Sequence, residues 1–214
     1  MSNGKSMMVD TSRCTACRGC QVACKQWNGL PGTKTKQTGT YQNPPDFSHE
    51  TWKLVRFAEG KAENGKPYWY FFSDMCRHCL QPSCMEAMKK NEIVQDTQTG
   101  AVIYTPQTKD LVFKDVVDGC PYNIPRQDPK SKAIKKCTLC LDRLKANMIP
   151  ACALSCPTGS VQFGERDEIL KVVEARVAEL KKTYPKAKAL NADQVRVIYI
   201  VTDDAEKYHK YAES

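Results

Sequence analysis

The hydrophobic pattern of the chain is that of short strands over most of its length and of a helix near its end. Runs of β-branched, aromatic and alternating apolar residues, bounded by Gly, Pro, Asn or Asp, predict strands. These runs cover residues 7–10, 52–58, 68–73, 92–95, 101–105 and 160–163. Polar turns at 63–65 and 96–100 predict two hairpins, and Gly164 is expected to end the last of these strands.

The C-terminal segment has a different character. Apolar residues recur there at helical spacing among charged ones, at Ile169, Val173, Val177 and Leu180. This stripe predicts an amphipathic helix, the run 195–201 predicts a strand, and 203–211 predicts a closing helix. Earlier in the chain, a short helix is expected over 21–27 and a long surface loop over 29–49, which is rich in Gly, Pro, Thr and Lys.

The composition fits a folded chain of one or two domains, with 214 residues, 41% hydrophobic and 26% charged. No run of about 18 apolar residues occurs, so no transmembrane segment is expected. The first eight residues hold neither the hydrophobic stretch of a signal peptide nor a twin arginine. We therefore expect the chain to carry no export signal of its own.

Cysteine is the unusual component, with 12 residues. They form four groups: Cys14-x2-Cys17-x2-Cys20-x3-Cys24, Cys76-x2-Cys79-x4-Cys84, Cys120 before Pro121, and Cys137-x2-Cys140-x11-Cys152-x3-Cys156 before Pro157. A chain of this length does not need many disulfides. C-x2-C-x2-C-x3-C is instead typical of two-cluster bacterial ferredoxins, in which three cysteines ligate one 4Fe–4S cluster and the fourth ligates the other.

Applied to this chain, that crossover uses every cysteine once and predicts three 4Fe–4S clusters. The first set is Cys14, Cys17, Cys20 and Cys156. The second set is Cys24, Cys137, Cys140 and Cys152. The third set is Cys76, Cys79, Cys84 and Cys120.

A complete second pair of sites would need four more cysteines. The chain has other residues at those positions, namely Met88, Asp110, Phe113 and Val116. Because these four positions would together ligate one cluster, the pattern indicates that a fourth cluster has been lost as a unit. We expect Met88, Phe113 and Val116 to pack where that cluster would lie.

Two other uses of cysteine fit the spacing less well. Structural zinc pairs two C-x2-C doublets, and a disulfide framework is typical of a small secreted domain. Ligation also changes the charge, which is formally +8. Counting the thiolates and three oxidised cluster cores lowers it to roughly +2, so a nucleic-acid function loses its main support.

Basic residues beside the ligands either raise the cluster potentials through their charge or belong to ordinary solvated surface. They are Arg13, Arg18, Lys25, Arg77, Lys135 and Lys136. His78, between Cys76 and Cys79, is expected to support the site or lie at the surface rather than to carry a proton. No nucleotide-binding, protease, nucleophile-elbow or haem motif occurs, so we expect the chain not to be catalytic alone.

Four stretches around the cysteines resemble the electron-transfer subunits of molybdopterin oxidoreductases. They are Cys14-Thr15-Ala16-Cys17-Arg18-Gly19-Cys20-Gln21-Val22-Ala23-Cys24-Lys25, Cys76-Arg77-His78-Cys79, Gly119-Cys120-Pro121-Tyr122-Asn123-Ile124-Pro125-Arg126, and Pro150-Ala151-Cys152 through Cys156-Pro157-Thr158-Gly159. The three-cluster pattern, the C-terminal tail, and Cys24-Lys25-Gln26-Trp27 followed by Asn43-Pro44-Pro45-Asp46 are most similar to the small subunit of the tungsten- or molybdenum-containing formate dehydrogenases of sulfate-reducing bacteria.

That resemblance implies an α+β fold of two ferredoxin-like modules of βαββαβ type with pseudo-two-fold symmetry, plus a C-terminal helix-strand-helix extension. Residues 1–45 and 130–165 would form the first module, 46–129 the inserted second module, and 166–214 the extension. It also implies a large catalytic subunit with a bis-molybdopterin tungsten or molybdenum site and one further cluster. Relatives are exported with that partner, so a periplasmic location is expected, with a cytoplasmic one as the alternative.

The implied function is to carry electrons from formate oxidation to an external acceptor such as a multihaem cytochrome c. Because electron transfer weakens steeply with distance, the lost cluster is expected at one end of the path. The third set then becomes the exit, and the first module faces the catalytic subunit. Two alternatives stay open here: the same role beside a thiosulfate or polysulfide reductase, and a free polyferredoxin.

Overall fold

The computed structural model describes residues 3–62 and 65–214. The strands are β1 Lys5–Asp10, β2 Leu54–Lys61, β3 Pro67–Asp74, β4 Ile93–Gln95, β5 Val102–Tyr104, β6 Arg126–Gln127, β7 Ile134–Lys135, β8 Val161–Glu165, β9 Lys188–Leu190 and β10 Val197–Val201. The α-helices are α1 Gly19–Trp27, α2 Phe113–Asp118, α3 Leu141–Lys145, α4 Ala151–Leu154 and α5 Arg166–Lys181. This mixture of short strands and few helices agrees with the expected mixed class.

One four-stranded sheet organises the molecule, in the order β8–β1–β10–β9. Met7 of β1 lies opposite Phe163 of the antiparallel strand β8 and opposite Val197 of the parallel strand β10. All residues of β10 are buried, as a central strand of Val, Ile and Tyr requires. The C-terminal segment therefore supplies an interior strand beside β1, the strand that precedes the first cysteine group.

Helix α5 packs on this sheet through the stripe that the sequence predicted. Ile169, Val173 and Leu180 are buried, and Val177 is partly buried against the same core. Acidic residues lie in the first turn of the helix and Lys181 in the last, which suits the helix dipole. No helix within the described ranges is both long enough and apolar enough to cross a bilayer.

The β2–β3 hairpin is fastened to the sheet by aromatic side chains. The ring of Phe72 stacks on that of Tyr199 with 4.2 Å between centroids, and the Tyr199 hydroxyl donates to the Ser73 carbonyl at 2.7 Å. This contact brings the end of β3, and with it the third set, against the central strand. The strands β4 and β5 form the second predicted hairpin, and β6 pairs with β7.

Most predicted elements are confirmed to within a few residues, and 29–49 forms the irregular segment that was expected. Part of the predicted turn at 63–65 lies outside the described residues. Gly164 does not end β8, because it pairs with Ser6 inside the strand. Since β8 is an edge strand, the missing side chain costs little there.

The closing helix predicted over 203–211 is wrong. Only a 3-10 turn forms, at Ala205–Lys207. The ring of Tyr208 stacks on Tyr70 at 4.4 Å, and its hydroxyl accepts from the Thr202 amide at 3.1 Å. These contacts fold the segment back onto the hairpin, which prevents it from extending as a helix.

Candidate metal centres

Residues with left-handed backbone conformation recur in the cysteine loops. Ala16 and Arg18 have φ of 54° and 61° between the cysteines of the first group, His78 has 46° in the second, and Leu139 and Cys140 have 56° and 51° in the last. Side chains other than glycine rarely adopt this conformation. Its repetition marks a tight turn of the backbone within each of these cysteine loops.

The second set lines one enclosed cavity with all four of its cysteines. Cys24 comes from α1 and Cys152 from α4, two helices that pack on each other, while Cys137 and Cys140 come from the loop before α3. All four side chains are buried. The Leu139 amide donates to the Cys137 sulfur at 3.3 Å. Cysteines from opposite parts of the sequence thus converge on one space.

The third set lines a second cavity, again with all four cysteines. The His78 amide donates to the Cys76 sulfur at 3.4 Å. Cys120 approaches from the end of α2, where a Cβ on Gly119 would lie 3.2 Å from the Ser83 carbonyl oxygen. A side chain at position 119 would require the Ser83 backbone to shift by a few tenths of an ångström, so glycine eases the close approach of Cys120 to the turn that carries Cys84.

The first set lies closer to solvent. Cys20 is buried, Cys14 and Cys156 are half-buried, and Cys17 is exposed. The thiol of Cys14 interacts electrostatically with those of Cys20 and Cys156. The Val161 amide donates to the Cys156 sulfur at 3.4 Å. The N-terminus of α1 and the end of α4 are therefore close enough to bring the early and late members of this set together.

The donor chemistry fits an inorganic cluster. Burial and neighbouring thiols raise the pKa of Cys79 to about 12, and burial raises the pKa of Cys120 and of Cys152 to about 11. Metal ligation relieves this penalty, because it replaces the thiol proton by a cationic core. Throughout residues 3–62 and 65–214, no group of three or more His, Cys, Asp or Glu side chains is arranged to hold a single metal ion. The second and third sets instead each line a cavity.

The basic residues beside the ligands divide into two kinds. Arg13 pairs with Asp10, Arg18 lies over the Phe57 ring, Lys25 donates to backbone carbonyls and Lys135 pairs with Asp128, all with solvent access. Arg77 and Lys136 are instead buried. Arg77 is held by Asp74 at 2.7 Å. The sequence alone could not separate these two kinds.

His78 is buried and acts as a structural support. Its Nδ1 accepts a hydrogen bond from the Val102 amide at 3.0 Å, which fixes the position of β5. Burial and the nearby charges of Lys136 and Arg196 hold the pKa of His78 well below its usual range. The imidazole is therefore neutral, as a supporting role requires.

Lys53 is a buried residue that the sequence did not single out. Its Nζ lies 3.3 Å from the Ser73 carbonyl and 3.2 Å from the Met75 sulfur. Burial would lower its pKa, but the thiols of Cys152 and Cys20 outweigh that effect and raise it. Lys53 is distant from every cysteine along the chain, so no spacing could have revealed it.

The three residues expected to pack at the lost fourth site, Met88, Phe113 and Val116, lie together in one apolar cluster. Val116 is buried in a small cluster with Ile93, Val102, Leu111 and Ile134, and Met88 and Phe113 pack against the same cluster. Asp110 is exposed at the end of the 3-10 turn Pro106–Asp110 and does not join it. Apolar side chains thus fill the space beside the third set.

Comparisons with known proteins agree with this geometry. The 4Fe-4S dicluster domain family matches residues 67–166. Formate dehydrogenase 2 subunit beta (cytochrome c-553) of Nitratidesulfovibrio vulgaris is 47% identical over 214 residues, covering 97% of this chain and 98% of that protein. Formate dehydrogenase subunit beta of Megalodesulfovibrio gigas is 47% identical over 212 residues, with the same coverage.

A more distant relative has a longer chain. The iron-sulfur subunit of the nitrate-inducible formate dehydrogenase of Escherichia coli is 36% identical over 209 residues, which cover 94% of this chain and 70% of that protein. Identity at this level over nearly the whole chain confirms the resemblance that the cysteine motifs carried. The chain belongs to the family of formate dehydrogenase beta, or iron–sulfur, subunits.

Proposed function

We propose that the twelve cysteines hold three 4Fe–4S clusters, one in each of the first, second and third sets as defined above. The convergence of Cys24 with Cys137, Cys140 and Cys152 on one cavity carries this proposal. The cavity of the third set and the electrostatic contacts of Cys14 with Cys20 and Cys156 support the other two. Amides directed at sulfurs in each set would stabilise the thiolates.

The chain acts as a non-catalytic electron-transfer subunit of a formate dehydrogenase complex. Clusters of this kind supply one-electron transfer when bound. The protein residues hold the sulfurs, shield the second set from water, and provide amide and ammonium groups around the sulfurs. Formate oxidation to CO2 belongs to the catalytic partner, for which we propose a bis-molybdopterin site with tungsten or molybdenum and one further cluster.

We propose two ferredoxin-like modules, residues 1–45 with 130–165 and residues 46–129, related by pseudo-two-fold symmetry, with 166–214 as an extension. The antiparallel pairing of β1 with β8 supports the first module, because it joins its two separated segments. The recurrence of left-handed residues in the cysteine loops supports a common origin of the modules. The extension contributes β10 to the sheet of the first module.

We propose that the first set faces the catalytic subunit. Cys17 is the exposed cysteine of that set, and exposed apolar residues flank it: Val22 on α1 is 62% exposed and Leu154 on α4 is 65% exposed. Exposed apolar side chains on the two helices near a ligand suit a partner that must come close for electron transfer. We call the surface formed by Val22 and Leu154 the α1–α4 face.

The third set would be the exit, because the apolar cluster containing Val116 occupies the position beyond it. We propose a multihaem c-type cytochrome as the electron acceptor. The name of the Nitratidesulfovibrio vulgaris relative includes cytochrome c-553, which supports an acceptor of the c type. We further propose that the protein is periplasmic and exported with its partner, which cell fractionation would test through co-localisation with a periplasmic marker.

Native purification tests the proposal as a whole. The complex should oxidise formate, and this chain should contribute about twelve iron atoms with equal acid-labile sulfide, four per cluster. Zinc in place of iron would refute the clusters. Co-purification with a thiosulfate or polysulfide reductase, or isolation as a single chain without a partner, would refute the assignment to formate dehydrogenase.

A further inference from the structure

Two lysines buried among the cysteine sets have no carboxylate partner among the described residues. Lys53 is 2% exposed and Lys136 is 4% exposed. Over the described ranges, neither lysine forms a salt bridge with an acidic side chain, although other buried bases do. A buried ammonium group is strongly unfavourable unless an opposite charge compensates it. Their environment must therefore supply negative charge from another source.

Lys53 lies between the first and second sets. It borders the cavity of the second set. Its Nζ contacts the Ser73 carbonyl, and the Ser73 hydroxyl in turn lies 3.2 Å from the Cys20 sulfur of the first set. Its charge interacts with the thiols of Cys152, Cys20 and Cys137. Lys53 is thus close to sulfurs of both sets.

Lys136 lies between the second and third sets. It borders the cavity of the third set, and its ammonium charge acts on the Cys84 thiol. Its Nζ donates to the Val102 carbonyl at 2.5 Å and to the Cys137 carbonyl at 3.0 Å, and it lies 4.6 Å from the centroid of the Tyr104 ring. The two gaps between consecutive sets therefore hold one unpaired lysine each.

Arg77 shows that this arrangement is not general for buried bases. It also borders the cavity of the third set, but Asp74 holds it at 2.7 Å and supplies an opposite charge. An ion pair projects little net field over a distance, whereas an isolated ammonium group projects its full charge through a medium of low polarity. The two lysines are therefore the stronger sources of positive potential.

We propose that Lys53 and Lys136 are the counter-cations of the clusters and that they set the reduction potentials of the clusters they face. This inference rests on the proposed ligation of three clusters. A core of about +2 with four thiolates is an anion of about −2. Reduction adds one electron, supplied through the catalytic partner, and makes it about −3 without moving a proton or breaking a bond. A fixed cation favours that reduced state and raises the potential.

EPR-monitored redox titration of the purified complex tests this with Lys53→Met and Lys136→Met. Lys53→Met should shift the reduction equilibria of the first-set and second-set clusters at least tenfold toward the oxidised state. For a one-electron couple this corresponds to a fall of about 59 mV in the reduction potential. The same substitution should change the third-set cluster less than threefold. Lys136→Met should shift the third-set cluster at least tenfold and leave the first-set cluster within threefold of wild type.

Lys135→Met is the matched control. It removes a charge next to Lys136, but Lys135 is partly exposed and already paired with Asp128 at 2.8 Å. Solvent screening should therefore keep its shifts below threefold. Lys53→Arg, which keeps the charge, should keep wild-type potentials.

Lys53→Gln and Lys136→Gln are second neutral variants, which retain hydrogen bonding. Full iron content with unshifted potentials in the neutral variants would overturn the proposal. Loss of iron from both neutral variants at one position would also overturn it, because that lysine would then serve cluster assembly. Failure of the proposed function is separate: the wild-type complex itself would lack the three cluster signals.

Discussion

The first and second sets share a plan but differ in their surroundings. Each combines three cysteines close in sequence with one from a distant segment. The second set is buried at all four positions and lines an enclosed cavity. The first set has only Cys20 buried and leaves Cys17 exposed. Spacing thus predicts which cysteines group together, whereas the packing around them decides how far solvent reaches the sulfurs.

The thiols differ in electrostatics as well. Burial and the neighbouring thiols of Cys152 and Cys140 raise the pKa of Cys24, and burial with Cys24 raises that of Cys137. In the first set, burial also opposes ionisation of Cys156, but the Val161 amide and the Thr158 hydroxyl outweigh it and lower its pKa. The second set therefore depends more strongly on a bound cationic core.

Serine substitutions should show the largest difference between the second and first sets. Cys137→Ser should remove about four iron atoms per chain and destabilise the fold by about 3 kcal/mol or more, because it leaves buried thiolates without their core. Cys17→Ser should keep an altered cluster, since solvent or the serine oxygen can complete ligation at an exposed position. Iron analysis and thermal unfolding measure both effects. Equal iron loss in the two variants would contradict the distinction.

The α1–α4 face, beside the first set, should contribute to binding of the catalytic subunit. Val22→Asp with Leu154→Asp should weaken binding of the catalytic subunit by about 2 kcal/mol or more, roughly 30-fold, because a charge would be buried in the interface. Pull-down of the chain by a tagged catalytic subunit at graded concentrations measures this. Val172→Asp is the control, since Val172 is 39% exposed on α5, a helix that does not form that face. An equal effect of the control would argue against this docking face.

Iron chelation should separate the sets kinetically. In the isolated iron-loaded chain, about four iron atoms should be released by oxidant and chelator at least tenfold faster than the rest, because the first set is open to solvent. Adding the catalytic subunit should abolish this fast phase. A single phase that is insensitive to the partner would mean that the exposure of Cys17 does not govern access.

Hydrogen bonds to sulfur should give the smallest differences. Ser73→Ala removes a hydroxyl 3.2 Å from the Cys20 sulfur. It should lower the reduction potential of the first-set cluster by less than about 59 mV, which is less than a tenfold change in its reduction equilibrium. Asn28→Ala removes a weaker contact, 3.7 Å from the Cys24 sulfur in the second set, and should have a smaller effect. Redox titration compares the two. A larger shift in Asn28→Ala would reverse the expected order.

Local pattern explains what could be predicted from the sequence. Alternation located β1 through β5, the apolar stripe located α5, and cysteine spacing indicated which sulfurs share a cavity. Contacts between distant segments explain what could not. Lys53 meets Cys20 and Cys152 only after folding, and the segment 203–211 is held in a turn by the stacking of Tyr208 on Tyr70. The ligation of clusters and the pseudo-symmetry of the modules stay predictions.

The parallel pairing of β1 with β10 has a consequence for biosynthesis. The strand that precedes the first cysteine loop acquires this neighbour only after Val201 has left the ribosome. Until then β1 can pair only with β8, and Cys156, which belongs to the first set, is synthesised long after Cys14, Cys17 and Cys20. We therefore expect metal loading of the first set to follow synthesis of β10, and a nascent polypeptide arrested before residue 197 should retain no iron there.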